Sequence, residues 1–458
     1  MPYILHAMEG NETIFGLASA LGKSGVSVVR ISGKQATDAL KAFAVPTPKP
    51  RQAELKTLKS GAEAVDKALV LYFQAPHSFT GEDVVELHLH GSRAVIKKVF
   101  EVLSAIPNFR LAKAGEFSRR AFLNNKMDLL EAEGLADLID AETTAQSRQA
   151  MRQMEGELGK VYEKWRTAII KNLANIEAYI DFPDEDLPQS LKDQITTGIN
   201  DFKAEIAAHL NDNRRGEKIR EGIYVVILGA PNVGKSSLLN YLAKRDAAIV
   251  SSIAGTTRDV IEVNLELAGF SVSLADTAGL RESADEIETQ GIKRALERAQ
   301  SADLKILMID SADEQPDLSL ADENTIIVVN KIDVVAPPHP NPLLLGEGAT
   351  SVPLLLGGVR GGACISIKTG QGLNEFLEVL TAKLQNTYAG ETSLITRARH
   401  REALTKALAA LNYLSFNKPI ELVAEDLRHS AFYLGQITGK IDVEEILGEI
   451  FSSFCIGK

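Results

Sequence analysis

Gly229-Ala230-Pro231-Asn232-Val233-Gly234-Lys235-Ser236 fits G-x-x-x-x-G-K-[ST] without a mismatch. An apolar run, 223–228, precedes it and reads as a buried strand. Ser237-Leu238-Leu239-Asn240-Tyr241-Leu242 follows and reads as the first turns of a helix. Strand, glycine-rich turn and helix are the context that a phosphate-binding loop needs. The glycines let backbone N–H groups turn inward around phosphate oxygens, and the helix N-terminus adds its partial positive charge. Lys235 can reach the terminal phosphates and Ser236 can ligate magnesium. A chance glycine-rich turn would have neither flank.

Three further segments say which nucleotide. Asp276-Thr277-Ala278-Gly279 ends an apolar run at 272–275, where a carboxylate can hold magnesium through water. Asn330-Lys331-Ile332-Asp333 ends a second buried run, 326–329. A carboxylate at Asp333 can accept two hydrogens, from the N1–H and 2-amino group of guanine. Adenine offers no such pair. Ser366-Ile367-Lys368 matches a loop that backs the guanine from its other side. Each alone is an ordinary polar strand end; in this order they select GTP. Between the P-loop and Asp276 lies Ser251-Ser252-Ile253-Ala254-Gly255-Thr256-Thr257-Arg258-Asp259, in which Thr257 is the expected threonine that closes on the third phosphate and completes the magnesium shell. Residues 260–274 alternate around Ala268-Gly269 and read as a hairpin. After Gly279 stands Leu280, where small Ras-like GTPases carry a glutamine that orients water. Leucine cannot do this, so another group must, and Glu282, Asp285, Glu286 and Glu288 stand nearby.

With these motifs, the chain resembles the MnmE (TrmE) family of tRNA-modifying GTPases over nearly its whole length. Outside the nucleotide motifs the resemblance rests on Ser78-Phe79-Thr80-Gly81-Glu82-Asp83-Val84-Val85-Glu86-Leu87, on Gly115-Glu116-Phe117-Ser118-Arg119-Arg120-Ala121-Phe122-Leu123-Asn124, and on the final Phe454-Cys455-Ile456-Gly457-Lys458. It implies a homodimer whose GTPase domains meet around potassium. The matching potassium positions are Asn232, Ser251, Ile253 and Thr256. Glu288 matches the carboxylate that positions water. The resemblance further implies a flavoprotein partner of the MnmG (GidA) kind, carrying FAD, in a heterotetramer. The pair adds an aminomethyl or carboxymethylaminomethyl group to the 5-position of the wobble uridine in certain tRNAs. The carbon comes from a tetrahydrofolate derivative, for which Arg30, Glu86, Lys126 and Lys458 are the matching positions. Cys455 matches a cysteine required for modification. Two segments depart from the family pattern: Ala20-Leu21-Gly22-Lys23-Ser24-Gly25 replaces a Pro-Pro-Gly-Arg-Gly-Gly type run, and His90-Gly91-Ser92 replaces His-Gly-Gly.

Composition agrees with a multidomain enzyme. At 458 residues two to four domains are expected. A net charge of −11 argues against a surface built to wrap nucleic acid, so tRNA would be held locally or by the partner. Two cysteines give no disulfide framework. The start shows no charged segment leading into an apolar core, and no run approaches the ~18 residues of a membrane span, so a cytoplasmic protein with no membrane contact is expected. Residues 1–125 mix strands and helices. On the alternating stretch 84–90, Glu86, His88 and His90 share one face; a packed or solvated strand face is preferred there to a metal site. From 127 to 180 the apolar spacing turns helical, with Met151, Met154, Leu158, Val161, Trp165, Ile169, Leu173, Ile176 and Ile180 as one stripe. Leu191, Ile195, Ile199, Phe202, Ile206 and Leu210 form another, and the spacing returns at Leu404, Leu408, Leu411 and Leu414. The expected fold class is therefore multidomain α/β. An N-terminal α+β folate-binding and dimerisation domain spans 1–125. A discontinuous helical domain, 126–217 and 380–458, receives an inserted Ras-like P-loop GTPase domain at 218–379. Residues 334–362, with five prolines and two Leu-Leu-Leu-Gly repeats, read as a tolerated loop insertion.

Two other readings exist. A ribosome-assembly GTPase would carry a basic RNA-binding domain after the GTPase domain, whereas here the C-terminal segment is helical. A signalling switch fits Leu280, but Glu288 and Asn232 favour turnover.

Overall fold

The computed structural model of the chain describes residues 12–181, 188–245, 262–276, 299–313, 318–334, 362–390 and 395–441, and positions 447, 450, 451, 454 and 457. It divides into two units, one of 1–136, 153–199 and 406–458, the other of 137–152 and 200–405.

In chain order the first elements are β1 (Thr13–Leu17), β2 (Ser24–Ser32), α1 (Asp38–Ala42), β3 (Glu54–Ser60), β4 (Glu63–Phe73), β5 (Val84–Gly91), α2 (Arg93–Ser104), β6 (Phe109–Leu111) and α3 (Glu116–Leu123). The six strands form one sheet in the order β3-β4-β5-β2-β1-β6, antiparallel except for the β1–β6 pair. Alternation decides which face is covered. On β5, Val85, Leu87 and Leu89 enter the core with Phe15, Val29, Ile31, Val70 and Phe43, while Glu86 and His88 stay half-buried on the other face. The amphipathic helix α2 closes the core with Ile96, Val99 and Leu103. Each such side chain, fully buried, contributes roughly 1.5–3 kcal/mol. His90 Nδ1 pairs with Asp66 at 2.7 Å and His88 Nε2 with Glu86 at 3.4 Å. Among the described residues no group of three His, Cys, Asp or Glu is placed to hold a metal ion.

A charged network ties this sheet to α3. Arg110 forks onto Glu116 at 2.8 and 2.7 Å, and Arg120 joins Glu116 at 3.3 Å to Glu82 at 3.0 Å. Ser32 Oγ completes it, donating to Glu82 at 2.7 Å. Burial pushes the Glu116 carboxyl up, but Arg110 and the Lys113 N–H outweigh it, leaving the group below its ordinary value.

Helices follow: α4 (Leu129–Asp140), α5 (Thr144–Met154), α6 (Glu157–Asp181), α7 (Gln189–Leu210) and α8 (Arg215–Glu221). A reciprocal cap opens α4: the Asp128 carboxylate accepts from the Glu131 N–H and the Glu131 carboxylate from the Asp128 N–H, both at 2.8 Å. The single stripe expected from 151 to 180 is corrected here. Gly156, at φ +75, separates α5 from α6, and Met151 is 39% exposed. A Cβ at Gly156 would stand 2.9 Å from a Glu131 carboxylate oxygen, so that approach requires glycine. Beyond the break the stripe holds, with Leu158, Trp165, Ile169 and Ile176 buried.

The second sheet comprises β7 (Ile223–Gly229), β8 (Glu262–Leu267), β9 (Phe270–Asp276), β10 (Leu304–Asp310), β11 (Thr325–Asn330) and β12 (Gly362–Cys364), with α9 (Lys235–Arg245) after β7. Its order is β12-β11-β10-β7-β9-β8, parallel except for the β8–β9 hairpin. The hairpin turns on Ala268 and Gly269, both at positive φ, as a two-residue turn requires. Parallel strands are covered on both faces, and Val225, Val226 and Ile227 are all fully buried. After this sheet come the helices α10 (Leu373–Tyr388), α11 (Ala398–Tyr413) and α12 (Ile420–Thr438). On α10, Leu373, Phe376, Leu380, Leu384 and Tyr388 pack into the sheet's core. On α11, Arg401 pairs with Asp212 at 2.6 Å and Glu217 at 2.9 Å, joining the chain that enters this sheet to the chain that leaves it. In the first unit α12 lies along α6, with Arg428 bonded to Glu177 at 3.0 Å.

Candidate functional site

β7 sits mid-sheet and delivers its glycine into the phosphate-loop sequence. Gly229 has φ +140, and a Cβ there would meet the Met308 carbonyl at 2.3 Å. Asn232 and Gly234 follow at φ +61 and +112. A Cβ at Gly234 would lie 2.4 Å from Asn330 Nδ2. The loop therefore approaches two neighbouring strands too closely for side chains, which is why glycine stands at both ends. Val233 plugs the turn into the core at 2% exposure. Lys235 opens α9, buried, and its Nζ donates to the Gly229 and Ala230 carbonyls at 2.8 and 2.9 Å. Ser236 and Ser237 follow in the first turn of α9.

The guanine-motif residues converge on this loop. Asn330 Nδ2 donates to the Val233 carbonyl at 2.7 Å, and its Oδ1 accepts from the Ile367 N–H at 3.3 Å. One side chain thus ties together the loops 229–236, 330–333 and 366–368. Ser366, fully buried, donates through Oγ to Asp333 Oδ1 at 2.7 Å and accepts from the Thr369 N–H at 3.2 Å. The Ser366 hydroxyl is the main cause holding the Asp333 carboxyl below its ordinary value, so it is ionised at neutral pH. The backbone of Asp276 ends β9 in register with Ile227, on the strand that leads to the phosphate loop.

In the other unit Arg30 and Glu86 are register partners on β2 and β5, joined at 2.9 Å. The guanidinium of Arg30 lies 5.1 Å from the ring centre of Phe79 and 5.8 Å from that of Phe117. Lys126 packs its stem on Gly81, two residues beyond Phe79. Gly16, the register partner of Arg30 on β1, touches Gly457: a Cβ on Gly16 would stand 3.3 Å from the Gly457 Cα and 3.4 Å from the Phe117 ring. Gly457 itself has φ +102, and a Cβ there would overlap the Leu17 carbonyl at 2.0 Å. The C-terminal end is anchored by Phe451 and Phe454, which pack with Leu129 and Ala132. Arg30, Glu86, Phe79, Phe117 and Gly457 thus meet at one place.

Ser251, Ser252, Ile253, Ala254, Gly255, Thr256, Thr257, Thr277, Ala278, Gly279, Glu288, Cys455 and Lys458 lie outside the described residues, as do the side chain of Asp276 and most of the 334–362 loop. Phe79 and Phe117 were within the quoted motifs, but nothing in the sequence marked them as neighbours of Arg30. Asp310, bonded to Lys331, had no motif at all.

Residues 129–455 match the family model "MnmE helical domain", and 13–126 match "GTP-binding protein TrmE N-terminus". The chain belongs to the MnmE family of tRNA modification GTPases. The "tRNA modification GTPase MnmE" of Paramagnetospirillum magneticum is 48% identical to it over 458 residues, covering 98% of this chain and 100% of the relative. That of Parvibaculum lavamentivorans is 49% identical over 462 residues, with the same coverage. Like other MnmE proteins, then, the chain is a GTP hydrolase of tRNA modification, built from a TrmE-type N-terminal domain, a helical domain and a P-loop GTPase domain. Among the described residues no helix is long and apolar enough to cross a membrane.

Proposed function

We propose that this MnmE-family chain is a potassium-activated GTPase. Together with an FAD-carrying MnmG (GidA) flavoprotein, as a homodimer within a heterotetramer, it adds a carboxymethylaminomethyl or aminomethyl group to the 5-position of the wobble uridine of certain tRNAs. It works in the cytoplasm, with the domain boundaries 1–125, 126–217, 218–379 and 380–458. One observation carries the reading: the C-terminal Gly457 is seated on the strand partner of Arg30. Gly457, docked there, stands beside a cation, a carboxylate and two aromatic rings. Such a set suits a flat heterocycle with acidic groups, as in a tetrahydrofolate derivative, which would supply the one-carbon unit. Arg30, Glu86, Lys126 and Lys458 are its proposed contacts.

In the GTPase domain Lys235 meets the terminal phosphates, and Asp333, backed by Ser366, Ile367 and Lys368, reads the guanine edge. Ser236, Thr257 and, through water, the Asp276 carboxylate would supply hard oxygens that fit magnesium, which would offset the charge of the phosphates. Asn232, with Ser251, Ile253 and Thr256, supplies neutral oxygens that fit potassium. A monovalent cation there would offset charge developing on the bridging oxygens. Glu288 orients the water that attacks the terminal phosphoryl group, releasing GDP and phosphate.

GTP turnover is therefore expected to rise with potassium far more than with sodium at equal ionic strength, because sodium is smaller and fills the same oxygen cage poorly. Equal rates in the two salts refute this part. For the base, Asp333→Asn replaces an acceptor pair with one acceptor and one donor. Binding of GTP should weaken and that of XTP, with a carbonyl at its 2-position, should improve. Discriminations of this kind are worth roughly 10- to 100-fold. Side-by-side titration of the two nucleotides measures the change, and an unaltered preference for GTP removes Asp333 from the base site.

A further inference from the structure

Lys331 has φ +66, a left-handed conformation uncommon for a residue other than glycine. Two side chains hold it. Ser311 Oγ donates to its carbonyl at 2.9 Å, and Asp310 Oδ2 accepts from its Nζ at 2.6 Å. Asp310 is itself fixed, as the register partner of Asn330 across β10 and β11. Its Oδ1 also accepts from the Ala312 N–H at 3.1 Å. The bond from Lys331 is the main cause holding the Asp310 carboxyl below its ordinary value. Lys331 is thus held at its backbone carbonyl and at its side-chain ammonium, between Asn330, which ties in the phosphate loop, and Asp333.

We infer that Asp310 is a positioning residue for guanine nucleotide: by tethering the Lys331 ammonium, it pre-orders the lysine stem as an apolar floor for the purine ring and slows nucleotide release. The inference rests on reading 330–333 as the guanine loop. A free lysine stem would have to be ordered each time a base binds, at a cost in side-chain entropy. Ordering it beforehand removes that cost from binding. The competing account is an ion pair with no bearing on the nucleotide. Lys331 and Asp310 are 38% and 32% exposed, and exposed pairs contribute little to folding.

Release of a fluorescent GDP analogue from the full-length protein separates the two accounts. Asp310→Ala should release it roughly fivefold faster, the size of effect a partly exposed charge pair supplies. Lys331→Ala should also accelerate release, and the double variant should be no faster than Lys331→Ala alone, because Asp310 acts only through the lysine. Asp310→Glu should recover most of the wild-type rate. Wild-type release from Asp310→Ala, effects that multiply in the double variant, or no recovery in Asp310→Glu each overturn the inference. Should Asp310→Ala lower the melting temperature, the isosteric Asp310→Asn takes its place in the cycle, with the same outcomes. Asp333→Asn, titrated with GTP and XTP, reports separately on the guanine loop. Retained GTP preference there overturns that reading and the Asp310 assignment with it. A shift to XTP alongside wild-type release from Asp310→Ala overturns the Asp310 assignment alone.

Discussion

Alanine at Glu288 is expected to lower GTP turnover by roughly 10²–10⁴-fold, the contribution of a general-base or water-positioning group. Affinity for GTP should change little, since such a group acts on the water and not on the nucleotide. The argument starts from Leu280, which occupies the place of the glutamine that orients water in small GTPases and has no polar atom. Some carboxylate must then serve. Of the four within reach in the sequence, Glu288 is the one that matches the family position. Single-turnover hydrolysis with saturating GTP, beside nucleotide binding, measures both effects. If Glu282→Ala abolishes turnover and Glu288→Ala does not, the wrong carboxylate has been chosen.

The second large effect is expected at the other end of the chain. Removing residues 456–458 should abolish tRNA modification while potassium-stimulated GTP turnover persists. Phe451 and Phe454, which anchor this segment against Leu129 and Ala132, remain in that variant. A single substitution tests the same seat more gently. At Gly457 the backbone is left-handed and an added Cβ would overlap the Leu17 carbonyl at 2.0 Å. Gly457→Ala should therefore lift the tail from β1, at a cost of about 1–3 kcal/mol in strain or undocking, and reduce modification without touching hydrolysis. Cys455→Ser, nearly isosteric, should keep the fold and impair modification if the thiol reacts. Full modification by all three variants would leave the tail a structural terminus, with Cys455 a small apolar residue as most free cysteines are.

The nucleotide loops were legible in the sequence because their chemistry leaves little freedom. Gly229 and Gly234 are required by close approaches to the Met308 carbonyl and to the Asn330 side-chain amide, and the flanking strand and helix carry the apolar spacing of their periods. The β8–β9 hairpin was legible for the same local reason, through Ala268 and Gly269. What was not legible depends on register and long-range packing. That Gly16 lies opposite Arg30, and that Gly457 rests on it, follows from strand pairing and from the docking of residues 441 positions apart. Phe79 and Phe117 come to Arg30 from different segments, so spacing along the chain carries no trace of it. The long stripe through Met151 failed because a stripe of 3.6-residue period does not reveal a break when a glycine in the left-handed region restarts the helix. Asp310 escaped because its role depends on a cross-strand neighbour, Asn330, and on the unusual backbone of Lys331.

The most direct test is nucleoside analysis of tRNA from cells that lack this protein. Loss of the carboxymethylaminomethyl and aminomethyl forms of uridine from the wobble position is expected, with the unmodified base in their place, and their return when the wild-type chain is restored. An unchanged set of wobble uridines in the deleted cells would contradict the proposed function.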